Sequence, residues 1–108
     1  MLAGALIVAI APTAYAKDTQ FWNLTANTIT SLQLSPAGKS DWGPEQTVND
    51  SDHAVDHDER LRITGVATGA YDLKFKDKTG RSCTIANVAV RLGAVFSVSE
   101  KQLTGCTH

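Results

Sequence analysis

Residues 71–90 read YDLKFKDKTGRSCTIANVAV, and this stretch decides the fold. Tyr71, Leu73 and Phe75 alternate with Asp72, Lys74 and Lys76. One face is therefore apolar and the other charged, at the period of two that a half-buried strand requires. Asp77-Lys78-Thr79-Gly80 follows, and Gly80 is free to take the positive φ that a three- or four-residue hairpin loop usually needs. The return strand, 82–90, is rich in β-branched residues and puts Cys83 and Ile85 on one face.

Outward from this hairpin the same grammar repeats. Phe21-Trp22-Asn23-Leu24-Thr25 reads as a first strand, and Ala26-Asn27 as a turn in which Asn27 tolerates left-handed φ. Residues 29–34 form the second strand, with Leu32 and Leu34 inward, ended by Ser35-Pro36-Ala37-Gly38. Residues 61–66 form the third, with Leu61 and Ile63 inward, and 94–99 the last, with Phe96 and Val98 on one face. About six short strands broken by turn residues, with no amphipathic helical period, imply an all-β chain: a small antiparallel β-sandwich, immunoglobulin-like in general shape. The Cys…Trp…Cys spacing of antibody domains is absent. Asn23-Leu24-Thr25 matches the N-glycosylation pattern, but Asn23 reads better as a side chain that bonds neighbouring backbone.

Residues 1–16, MLAGALIVAIAPTAYA, contain an apolar run too short to span a bilayer, which takes about 20 residues. The run ends in Ala14-Tyr15-Ala16, the small-x-small pattern of a signal-peptide cleavage site. No Lys or Arg precedes it, a departure from the usual signal that a start codon assigned too late explains. Removal of these 16 residues from 108 leaves 92, residues 17–108, as one small domain in the periplasm or secreted, with no membrane attachment. All 10 Lys and Arg and all 11 Asp and Glu lie in that part, so its formal charge is −1. With this balance and no basic cluster, nucleic-acid binding is excluded.

Two cysteines in an exported chain are best read as one disulfide. Cys83 and Cys106 lie 23 positions apart. Closing such a loop stabilises a fold by roughly 3.4 kcal/mol in the chain-entropy model, a large share of the ~5–10 kcal/mol available to a domain of this size.

The segment 49–59, NDSDHAVDHDE, is the most biased in composition. It reads as a solvated loop or a single helical turn. Its crowded carboxylates repel one another, and a bound cation relieves that repulsion. The rival reading is therefore a metal site built from Asp52, His53, Asp56, His57 and Asp58. Carboxylates alone suit Ca²⁺, and the two histidines suit Zn²⁺, Cu²⁺ or Ni²⁺. The pattern lacks the Gly and Glu of an EF-hand loop, and the surrounding sequence lacks the helix of a zinc protease. Trp42, in Trp42-Gly43-Pro44, reads as a lid over one end of the core, with an exposed contact surface as the alternative.

Asn23-x-Thr25, Leu34-Ser35-Pro36, Trp42-Gly43-Pro44, the run 55–65 (VDHDERLRITG), Tyr71-Asp72 and Gly80 with Cys83 together resemble a family of small exported bacterial proteins. Members go under the names "Tat pathway signal protein" and "argininosuccinate lyase". The second name does not suit these residues, because 92 residues of strand cannot build a large helical lyase. The first calls for a twin-arginine stretch, which is not in residues 1–16 but which a start codon assigned too late would hide, so the export route stays open between Sec and Tat. The resemblance carries no catalytic residue over to this chain.

No Gly-x-Ser-x-Gly elbow is present, both cysteines are committed to the disulfide, and two of the three histidines share one acidic loop. A small hydrolase is thus a remote alternative. The expectation is a non-catalytic binding or structural accessory module with a protein or small-molecule partner, no cofactor, and contact through an exposed sheet edge or the Trp42 loop.

Overall fold

The computed structural model describes residues 17–108, so the expected signal peptide, 1–16, lies outside the described residues. Among the described residues there are seven strands: β1 (Gln20–Leu24), β2 (Ile29–Pro36), β3 (Arg60–Arg62), β4 (Gly69–Asp77), β5 (Ser82–Val90), β6 (Val95–Ser99) and β7 (Cys106–Thr107). No α-helix occurs among the described residues, only short 3-10 turns at Gln46–Asn49 and Glu100–Gln102. The strands form two sheets, β3-β1-β6 and β2-β4-β5-β7. Phe21, Leu61, Phe96 and Val98 of the first meet Leu32, Leu34, Leu73, Phe75, Cys83 and Val90 of the second in one buried cluster. An all-β chain with two sheets and one disulfide is what the alternation implied.

Three features differ from the expectation. The strands number seven rather than six, because β7 pairs Cys106 with Cys83 and Thr107 with Ser82. The sheets are not wholly antiparallel, because β1 and β6 run parallel in register from Gln20↔Val95 to Leu24↔Ser99. Asn27 is not left-handed. Asn87 is instead, at φ 58°, where β5 carries one extra residue between the pairs Leu73↔Ile85 and Tyr71↔Val88. That is a β-bulge, and it kinks β5 and increases its twist.

The 71–90 hairpin forms as its alternation requires. Leu73 and Phe75 are fully buried, and Gly80 takes φ 89°. The turn is organised by Asp77, whose buried carboxylate accepts from the Thr79 amide and hydroxyl and from the Arg81 amide and Nε. Burial opposes the charge on Asp77, but these donors outweigh it and hold the carboxyl below its ordinary value. Arg81 also bonds Glu100 at 2.7 Å, and Glu100 accepts from the Ala26 amide at 2.9 Å. The hairpin tip, the β1–β2 turn and the chain after β6 are thereby clamped at one end of the sandwich.

Asn23 behaves as the backbone-bonding side chain expected of it. It is completely buried, donates to the Asn27 and Val55 carbonyls, and accepts from the amide and hydroxyl of Thr25. A side chain so enclosed cannot present its nitrogen for glycosylation. Cys83 and Cys106 are bonded at 2.03 Å, and no helix among the described residues is long and apolar enough to cross a membrane.

Candidate functional site

A two-sheet sandwich has edge strands whose outward N–H and C=O groups must be met by something. In the four-stranded sheet the edge strand β2 is met by the loops that follow it. Ile29 exchanges both backbone bonds with Val55 at 2.9 Å. The Leu32 amide donates to Glu45 at 2.6 Å, and the Leu34 carbonyl accepts from Gly43 at 2.8 Å. Glu45 also accepts from the Ser31 hydroxyl and from the amide and hydroxyl of Thr47. Burial opposes its ionisation, yet the donors from Ser31, Leu32 and Thr47 together hold its carboxyl below the usual range. One carboxylate thus substitutes for a missing neighbouring strand.

The edge strand β6 of the other sheet has no such cover. Gln20 donates to the Ala94 carbonyl, which sets the phase of the parallel ladder: Phe96 and Val98 direct their backbone groups to β1, and Val95 and Ser97 direct theirs away. Neither Val95 nor Ser97 finds a backbone or side-chain partner on that side among the described residues. The strand Val95–Ser99 reads VFSVS, with no charge, proline or bulge of the kind that blunts an edge. Beside it runs a groove of about 370 Å³ lined by Thr68, Gly69, Ala89, Val90, Ala94 and Val95, with Arg91 as its one charged residue. Val95 is 43% exposed and Leu92 56% exposed, two of the three large apolar side chains most open to solvent among the described residues. β5 borders the same side, but its Asn87 bulge breaks the flat run a partner strand needs. The open, flat, uncharged edge is β6.

The residues singled out in the acidic segment do not converge. Asp56 accepts from the Thr28 hydroxyl at 2.9 Å, and Asp58 accepts from the Trp22 indole at 3.0 Å. His57 Nδ1 donates to the Thr25 carbonyl at 2.7 Å. His53 is exposed at the turn, with φ 55°. Asp52 stands beside Asp50, and the closeness of the two carboxyls pushes the Asp52 carboxyl up and the Asp50 carboxyl down. No three His, Cys, Asp or Glu side chains gather as a metal set among the described residues. The segment is not a free solvated loop either, because Val55 is completely buried and stitched to Ile29. Its carboxylates and His57 tie the segment back to β1 and the β1–β2 turn.

Trp42 corrects the lid expectation. It is half-buried and lies outside the core cluster, with the Lys74 ammonium 4.5 Å from its ring centroid. Lys74 belongs to the solvent side of β4, so the indole covers the outer face of the sheet rather than the end of the core. Trp22 is its counterpart on the other sheet, with the Arg60 guanidinium 4.6 Å above its ring.

Sequence reasoning did not single out the β6 edge or Glu45. A signal for the first was present: the last strand is uncharged, whereas β4 carries a charge on every solvent-facing position from Asp72 to Lys76. Glu45 gave none, since a loop carboxylate is ordinary until its partners are known. Comparison with protein-family models, curated proteins and solved structures finds no match to this chain.

Proposed function

We propose that this chain is an exported, non-catalytic binding module that takes an extended segment of a partner protein onto the outer edge of β6. The observation that carries the reading is the contrast between β2, whose outward groups at Ile29, Leu32 and Leu34 are met, and β6, whose groups at Val95 and Ser97 have no partner among the described residues. Backbone pairing to an exposed edge supplies affinity, and adjacent pockets read alternate side chains. The groove beside Val95 supplies such a pocket. A formed disulfide suits an oxidising compartment and so supports export to the periplasm or beyond. The absence of catalysis is supported by the commitment of both cysteines to that bond and of His57 to a backbone carbonyl.

The test is selection from a library of random linear peptides, followed by backbone amide mapping and repetition with Ser97→Pro. Proline removes the N–H that a partner strand would use, at an edge position where its ring is tolerated. Selected peptides should shift the Val95 and Ser97 amides and lose binding to the variant. Peptides that map to the Trp42 loop, or bind the proline variant equally well, would contradict the reading.

A further inference from the structure

Apart from the β6 edge, the outer face of the four-stranded sheet carries a second arrangement suited to a ligand. Strand register sets Ser31, Lys76, Ser82 and Thr107 in one row across β2, β4, β5 and β7, and Gln33, Lys74 and Thr84 in the next. These side chains point away from the core, because Leu32, Phe75 and Cys83 between them point inward and are buried. The two rows line a groove of about 310 Å³ whose floor, at Phe75 and Cys83, is closed to solvent. Gly105 walls it so closely that a Cβ there would lie 2.8 Å from the Thr84 carbonyl oxygen, so only glycine allows the C-terminal segment this approach.

The charges of the groove are of one sign. Ion pairs among the described residues are confined to Arg81 with Asp77 and Glu100, so Lys74 and Lys76 have no carboxylate partner. Of the carboxylates nearby, Glu45 is occupied by four donors on the β2 side, and Asp72, two positions before Lys74 on the same face of β4, accepts from the Gly38 and Asn87 amides. The Lys74 ammonium is held against the Trp42 ring, which places it over the sheet instead of leaving it extended in water. Around the two ammoniums stand hydroxyl and amide groups, with the half-buried Trp42 ring against Lys74 as the apolar neighbour. An acidic peptide would need either apolar pockets or a free sheet edge here, and β2 is already covered.

The geometry points to an anionic polysaccharide as the occupant, its carboxylates paired with Lys74 and Lys76 and its hydroxyls bonded to Gln33, Ser82 and Thr84. The charge complementarity selects an anion, and the hydroxyl lining selects a polyhydroxylated one.

The experiment uses immobilised polygalacturonate as the probe, with neutral dextran and poly-glutamate of matched length as comparators. Four proteins are compared: the wild type, Lys76→Gln, the pair Lys74→Gln with Lys76→Gln, and a charge-matched control pair, Lys39→Gln with Lys101→Gln. All the lysines in these variants are solvent-facing, and a thermal melt confirms folding. Wild type should bind polygalacturonate, ignore dextran and bind poly-glutamate more weakly. Lys76→Gln should weaken binding about tenfold, the effect of losing one charged hydrogen bond, and the double variant should weaken it further. The control pair should stay within about twofold of wild type, because distant surface charges are screened at physiological salt. Binding to poly-glutamate as tight as to polygalacturonate, equal loss in the control pair, or no binding above dextran would each overturn the proposal.

Discussion

β2 and β6 are both edge strands with buried inner faces, and they are finished differently. Along β2 the chain uses a backbone bridge from Val55, a carboxylate from Glu45 and an amide from Gly43 to meet the outward groups. Along β6 no partner meets the outward groups of Val95 and Ser97 among the described residues. The covering loops come from the stretch between β2 and β3, which is also the most polar part of the chain. The polar residues there close an edge, and among the described residues no three His, Cys, Asp or Glu side chains gather as a metal set. An edge covered in this way is closed to partners, and the bare edge is the feature on which the proposed strand addition rests.

The largest expected effect comes from giving the four-stranded sheet an open edge of its own. Replacing Cys83 and Cys106 with alanine removes the bond that holds β7 on β5. It should lower stability by roughly 3 kcal/mol in denaturant melts, in line with a closed loop of this size. If β7 stays in place by its backbone bonds alone, exchange of the Thr84 amide, which donates to Gly105, will remain slow in the variant.

Next in size is the cover of β2. Glu45→Ala leaves the Leu32 amide and Ser31 hydroxyl without their acceptor and should cost about 2 kcal/mol. The same carboxylate gives the contrast a pH dependence. Its folded value is depressed below the ordinary 4.5, so its contribution is present above that value and lost as pH falls through the folded value. Acid melts of wild type and Glu45→Gln should therefore converge at low pH and separate above it. Parallel curves over the whole range would show that the carboxylate does not carry the cover.

Trp42→Ala should cost about 1 kcal/mol, the order of a half-exposed cation–π contact plus partial burial. A loss near the 3 kcal/mol typical of a core aromatic would restore the lid. Smallest of all should be Ser97→Lys. It faces solvent on the bare edge, so stability should stay within about 0.5 kcal/mol of wild type while strand addition is blocked.

The sequence made local features legible and left distant ones hidden. Alternation between Tyr71 and Lys76, the Gly80 turn and the bonds of Asn23 to Thr25 and Asn27 depend on residues a few positions apart, and each forms as expected. The disulfide was legible because two cysteines allow one pairing. The parallel pairing of β1 with β6 joins segments some 75 positions apart, and no local pattern encodes it. Trp42 was misplaced because an indole in a loop suggests burial, whereas its loop crosses the outer face of the sheet, where the Lys74 side chain rises to meet it. Val55 stood out as apolar in an acidic run, but only its partner Ile29 shows that it anchors the segment.

The most direct test is amide hydrogen exchange measured residue by residue on the free protein. The Leu32 and Ile29 amides, bonded to Glu45 and Val55, should exchange slowly, with protection approaching that of the sheet interior. The Val95 and Ser97 amides should exchange as rapidly as those of exposed loops. Protection at Val95 and Ser97 equal to that at Leu32 would mean that the β6 edge is already covered, and would contradict the account.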